Sequence, residues 1–126
     1  MGKELIYPKL SYEIVGILYD VFNKVGAGHK ERYYQNALLI AFKNNNLDYK
    51  EQVPVALRYD NQKIGQYYLD FLIEDKIILE IKSDNIFRKP NIEQIYSYLK
   101  STGLKLGIIA NFTRDGVKFK RIVNIE

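Results

Sequence analysis

At 126 residues, 47% of them hydrophobic and 27% charged, the chain has the length and composition of one ordinary globular domain and no room for a second. It has no cysteine and one histidine, which excludes a disulfide framework, a thiolate nucleophile, a zinc finger and a His-rich metal centre, so any metal must be held by oxygen. The formal charge of +4 suits a polyanionic partner without demanding one, and drawing three of the 15 acidic residues into a metal site would leave +7 to meet phosphate.

The opening Met1-Gly2-Lys3-Glu4-Leu5-Ile6 has no secretory h-region, and no apolar run approaches the ~20 residues needed to cross a bilayer, so a cytoplasmic protein with no membrane partner is expected. Leu10, Ile14, Leu18, Val21 and Val25 recur at helical spacing, and Gly26-Ala27-Gly28 breaks the pattern. A second helical pattern, Tyr34, Ala37, Leu38, Ala41 and Phe42, stops at Asn44-Asn45-Asn46. Strands follow. Tyr49 to Tyr59 is the first, with Pro54 pointing to an edge position or a bulge, and Asp60 to Lys63 reads as a turn. Gln66 to Ile73 and Lys76 to Lys82 form a tight hairpin around Glu74-Asp75. Pro90-Asn91 opens a third helix, with Asn91 as its N-cap, Ile92, Ile95, Tyr96 and Leu99 on the packed side, and Gly103 at its end. Leu104 to Ala110 reads as a strand covered on both faces and Val117 to Ile125 as a last alternating strand. The order is α-α-β-β-β-α-β-β, an α/β domain with no internal repeat or linker.

The hairpin carries the chemistry. With its turn centred near Asp75, Asp70 and Glu80 are equally far from the centre and face one another, and Lys82 shares the face of Glu80. Directly opposed side chains have Cβ atoms about 4.5–5.5 Å apart. Two carboxylates that close repel unless a proton, a cation or Lys82 compensates, and a hard divalent cation is the natural partner, with Mg²⁺ or Mn²⁺ leading. Such a patch could hydrolyse a phosphodiester, with Lys82 stabilising transition-state charge or positioning the attacking water.

The string Asp70, nine residues, Glu80-Ile81-Lys82 resembles the D-x(n)-(E/D)-x-K core of the PD-(D/E)XK nuclease superfamily, whose αβββαβ restriction-endonuclease-like core, a mixed central sheet flanked by helices, matches the element order from residue 30 onward. Gly28-His29-Lys30-Glu31-Arg32-Tyr33-Tyr34 is similar to the signature of the bacterial GxxExxY proteins. The resemblance implies that Asp70, Glu80 and the Ile81 carbonyl bind metal, that Lys82 is catalytic, and that Glu31 completes the acidic cluster. It also implies that Gln94 and Tyr98, which fit a Q-x-x-x-Y element after the E-x-K strand, support the site, and that hydrolysis leaves a 5′-phosphate. Leu69 stands where the superfamily name has proline.

Plainer readings stand beside these. Lys76, Ile78, Glu80 and Lys82 could be the solvated face of an amphipathic strand, and Gln94 and Tyr98 any polar helical stripe. Glu31, third in a helix capped by Gly28, could serve the helix dipole and its end amides. Tyr34 reads as a packing residue and His29 as an exposed loop histidine. Arg88, Lys89, Lys118 and Lys120 either line a nucleic-acid groove or are solvated surface. The leading expectation is a Mg²⁺- or Mn²⁺-dependent nuclease-like protein acting on DNA. The rivals are a catalytically inactive nucleic-acid- or partner-binding module with the same fold, and a small branched-DNA resolvase acting as a homodimer.

Overall fold

In the computed structural model, which describes residues 6–125, Ile14, Leu18 and Val21 line the buried stripe of α1 (Pro8–Val25). The targeting readings drawn from residues 1–5 lie outside the described residues. The helix begins two residues before the expected Leu10 because Pro8 fits a first turn, where no amide hydrogen is needed. Helix α2 (Glu31–Asn44) buries Tyr34, Leu38 and Phe42. Its N-cap is Lys30, not Gly28, so Glu31 is its first residue. Gly28 has φ 84° and belongs to the connecting loop, which Tyr34 ties down by donating its hydroxyl to the Gly26 carbonyl at 2.7 Å.

The strands are β1 (Tyr49–Tyr59), β2 (Gln62–Ile73) and β3 (Ile77–Lys82), followed by α3 (Lys89–Thr102), β4 (Leu106–Thr113) and β5 (Gly116–Val123). They form one sheet in sequential order, antiparallel except between β3 and β4, where α3 makes the crossover. Strand β1 lies at an edge, which accommodates Pro54. Strand β2 starts at Gln62 rather than Gln66, because Asp60 and Asn61 both take positive φ and close a two-residue turn. Helix α3 starts at Lys89, capped by Arg88 instead of Asn91, since Pro90 sits comfortably within a first turn.

Two apolar cores flank the sheet. One joins α1 and α2 to Phe71, Ile73, Ile77, Leu79, Ile81 and Ile108. The other joins Ile95 and Leu99 of α3 to Val53, Val55, Leu69, Leu72, Ile78 and Ile109. Gly107 lets α3 come close, since a Cβ there would lie 2.4 Å from Ile95 Cγ2.

Regular alternation would put Leu69 and Phe71 on one face, yet they belong to opposite cores. The reversal falls at Asp70, where Gln52 of the neighbouring strand takes φ 52° and the Cα pairing skips from Glu51↔Phe71 to Val53↔Leu69. Because β3 pairs with β2 only over Phe71 to Ile73, the rest of the β1–β2 hairpin continues as a two-stranded ribbon with Leu57, Tyr59, Ile64 and Tyr68 exposed.

Candidate functional site

Strands β2 and β3 pair as Ile73↔Ile77, Leu72↔Ile78 and Phe71↔Leu79. The next step in this register sets Asp70 opposite Glu80, and there side chains replace the main-chain ladder. The Asp70 amide donates to Glu80 Oε1 at 2.9 Å, and the Ile81 amide donates to Asp70 Oδ2 at 2.7 Å. Asp70 is 8% exposed and Glu80 5%. Ile78 is fully buried as well, so the solvated-strand reading fails.

Burial penalises both anions. Desolvation, then the charge of Asp70, push the Glu80 carboxyl up to about 8, although the Asp70 amide and Lys82 pull the other way. Asp70 is also raised, mainly by desolvation, against the opposing bond from the Ile81 amide. Lys82 Nζ lies 3.6 Å from Glu80 Oε2, with 28% of its side chain exposed. With both carboxyls ionised, the one ammonium leaves a deficit of positive charge, and an all-oxygen donor set of this kind fits a hard divalent cation.

Helix α2 reaches the same place with two side chains one turn apart. Gln35 Nε2 donates to Asp70 Oδ1 at 3.0 Å. Glu31 Oε1 accepts from the Ser83 amide at 3.0 Å, and the Ser83 hydroxyl donates to the His29 carbonyl at 3.1 Å. Glu31 therefore fastens α2 to the end of β3 rather than capping its own helix. Its charge is felt by Asp70. Among the described residues no three His, Cys, Asp or Glu side chains form a ready metal-binding group, and the Glu31 carboxylate, next to the acid pair, is turned to the Ser83 amide. Gln35 and Ser83 belong to no motif in the sequence; the four-residue step from Glu31 to Gln35 is the one signal that places Gln35 on the same helix face.

The remaining candidates lie further out. Gln94 lines a groove between α3 and β1–β2 with Val55, Leu57 and Tyr67, and the hydrogen bonds of the acid pair described above do not involve it. Tyr98 packs on the α3-side core, its phenol pushed up by burial. Lys118 and Lys120 are exposed, in register through Asn111 and Ile109 with Lys82 and Glu80, so all four lie on the face of the sheet that α3 covers. Lys120 Nζ lies 5.0 Å from the centre of the Phe87 ring. Arg88 is ion-paired with Asp84 at 2.6 Å and Lys89 with Glu93 at 3.7 Å. His29 is exposed, whereas Tyr34 is fully buried and stacks on Phe112 with ring centroids 4.2 Å apart. Among the described residues, no helix is long and apolar enough to cross a membrane.

The fold has a counterpart among solved structures. The crystal structure of SSO0001 is similar with a TM-score of 0.56 and 20% identity, covering 75% of this chain and 50% of that one, so the chain spans about half its length. An alkaline exonuclease, LHK-Exo from Laribacter hongkongensis, gives a TM-score of 0.49 and 15% identity over 95% of this chain and 72% of that one. No curated protein sequence matches the chain. A family model of the PD-(D/E)XK nuclease superfamily matches residues 8–122. That match runs from the first residue of α1 to the last residue but one of β5 and takes in Asp70, Glu80 and Lys82, and the chain belongs to the PD-(D/E)XK nuclease superfamily.

Proposed function

We propose that the protein is a Mg²⁺- or Mn²⁺-dependent nuclease that hydrolyses phosphodiester bonds of DNA. The observation that carries the reading is the buried pair Asp70 and Glu80, joined through the Asp70 and Ile81 amides, with the Lys82 ammonium beside it. Family membership supports it, since members of this superfamily are generally dependent on divalent metal. Asp70, Glu80 and the Ile81 carbonyl would hold the ion, with Glu31 contributing from α2. When bound, the ion supplies Lewis-acid polarisation of the phosphoryl group and offsets charge on the leaving oxygen. Lys82, next to the acid pair yet partly open to solvent, would meet the extra negative charge of the transition state or orient the attacking water. The exposed Lys118 and Lys120 would carry the phosphate backbone across the same face, while Arg88, Lys89 and Tyr98 would give weaker support and Gln94 would act from α3.

The test is cleavage of single-stranded, nicked and branched DNA with Mg²⁺ or Mn²⁺, comparing wild type with Asp70→Asn and Lys82→Ala. The expected result is metal-dependent cleavage by wild type that both substitutions abolish. Equal activity in all three proteins excludes the mechanism, and salt-dependent DNA binding with neither cleavage nor a metal-induced thermal shift identifies a binding module instead.

A further inference from the structure

We infer that Gln35 is a positioning residue for a cation held by Asp70 and Glu80, its neutral amide fixing the Asp70 carboxylate without discharging it. The inference rests on the proposed metal-dependent function. Asp70 Oδ2 accepts from the Ile81 amide and Oδ1 from Gln35, at 2.7 and 3.0 Å, so both oxygens are pinned and the carboxylate rotamer is fixed. Both donors are uncharged. The carboxylate thus keeps its full negative charge for a metal, whereas an ammonium in the place of Gln35 would satisfy that charge permanently, as Lys82 partly does for Glu80.

A purely architectural role for Gln35 is a poor account of the contact. Helix α2 is already anchored by the buried Tyr34, Leu38 and Phe42 and by the bond from the Ser83 amide to Glu31. The Gln35 bond is thus not needed to dock the helix. What it adds is a second point, one turn along, at which α2 sets the orientation of the acid pair.

The experiment is calorimetric titration of the metal-free protein with Mn²⁺, alongside thermal melting in chelator, for wild type, Gln35→Met and Gln35→Lys. Methionine keeps the length of the side chain and removes the donor. It is expected to weaken Mn²⁺ binding about 10- to 100-fold while lowering the melting midpoint in chelator by no more than the few degrees that one lost hydrogen bond costs. Lysine is expected to weaken binding at least as much and yet raise the midpoint, by supplying the missing positive charge. Wild-type affinity in Gln35→Met overturns the inference, as does a loss of affinity matched by a collapse of the midpoint. Failure of the wild type itself to bind Mn²⁺ removes the underlying functional reading as well, so the two failures are distinguishable.

Discussion

Asp70 and Glu80 are latched reciprocally: the Asp70 amide donates to the Glu80 carboxylate, and the amide following Glu80 donates back to the Asp70 carboxylate. The latch holds two carboxyl groups together in a buried place, and ionising both, above about pH 8, costs stability and serves chemistry. Replacing Asp70 by Asn keeps the shape and an oxygen for the Ile81 amide but deletes one charge. Metal-supported cleavage is expected to fall at least about 100-fold, while the melting midpoint in chelator rises at a pH above the Glu80 value of about 8. Gel assays and thermal melts check both, and an Asp70→Asn protein that melts below wild type in chelator at that pH contradicts the repulsion.

The raised Glu80 carboxyl fixes the sign of a pH dependence. Its value in the folded protein, pushed up to about 8, stands above the ordinary 4.5. Below the ordinary value both folded and unfolded chains carry the proton. As pH rises, the unfolded chain releases it first, so Glu80 lowers stability progressively until the folded form also ionises near the upper value. Denaturant titrations in chelator at pH 5 and pH 8 are expected to show lower stability at pH 8, with a smaller difference in Glu80→Gln. Added Mn²⁺ should reverse the trend by favouring the ionised pair. Equal pH slopes in wild type and Glu80→Gln would refute the assignment.

Gly107 tests the packing of α3 independently of any metal. A methyl group there meets Ile95 Cγ2 at 2.4 Å, and Ile95 is fully buried and branched, so it has little room to yield. Gly107→Ala is expected to destabilise the protein by about 1–3 kcal/mol, read from a denaturant midpoint at unchanged slope. Wild-type stability in this variant would mean that α3 sits further from β4.

Lys118 and Lys120 are exposed on the same sheet face as Lys82 and Glu80. If they meet phosphate, each Lys→Ala substitution weakens DNA binding for all sequences alike and reduces the slope of log affinity against log salt by about 1. Binding measured across a salt series checks this, and an unchanged slope assigns these lysines to the solvated surface.

Much of this arrangement was legible in the sequence. The turn at Glu74-Asp75 fixes the hairpin register, so the opposition of Asp70 and Glu80 follows from counting residues outward from it. The helices follow from their apolar spacing, but that spacing does not mark where α1 and α3 start, because Pro8 and Pro90 sit inside first turns. Harder to read was whatever depends on how elements dock. The bond from Gln35 to Asp70 spans 35 positions and exists only because α2 crosses the sheet at one place. Period-two alternation likewise cannot announce that Leu69 and Phe71 part company, because nothing in the residue pattern marks the break in pairing where Gln52 and Asp70 face one another.

That reversal also divides the hairpin into two territories. Inward of it, every change of length would displace a carboxylate; outward, the ribbon is tied to the body at its base through Val53, Val55 and Leu69 and ends freely at Asp60-Asn61. Residues near that tip can be added, removed or exchanged without shifting the acid pair. Variation there would alter what the domain touches while leaving its charged centre in place, and the tip is therefore the natural point at which to graft or trim this protein.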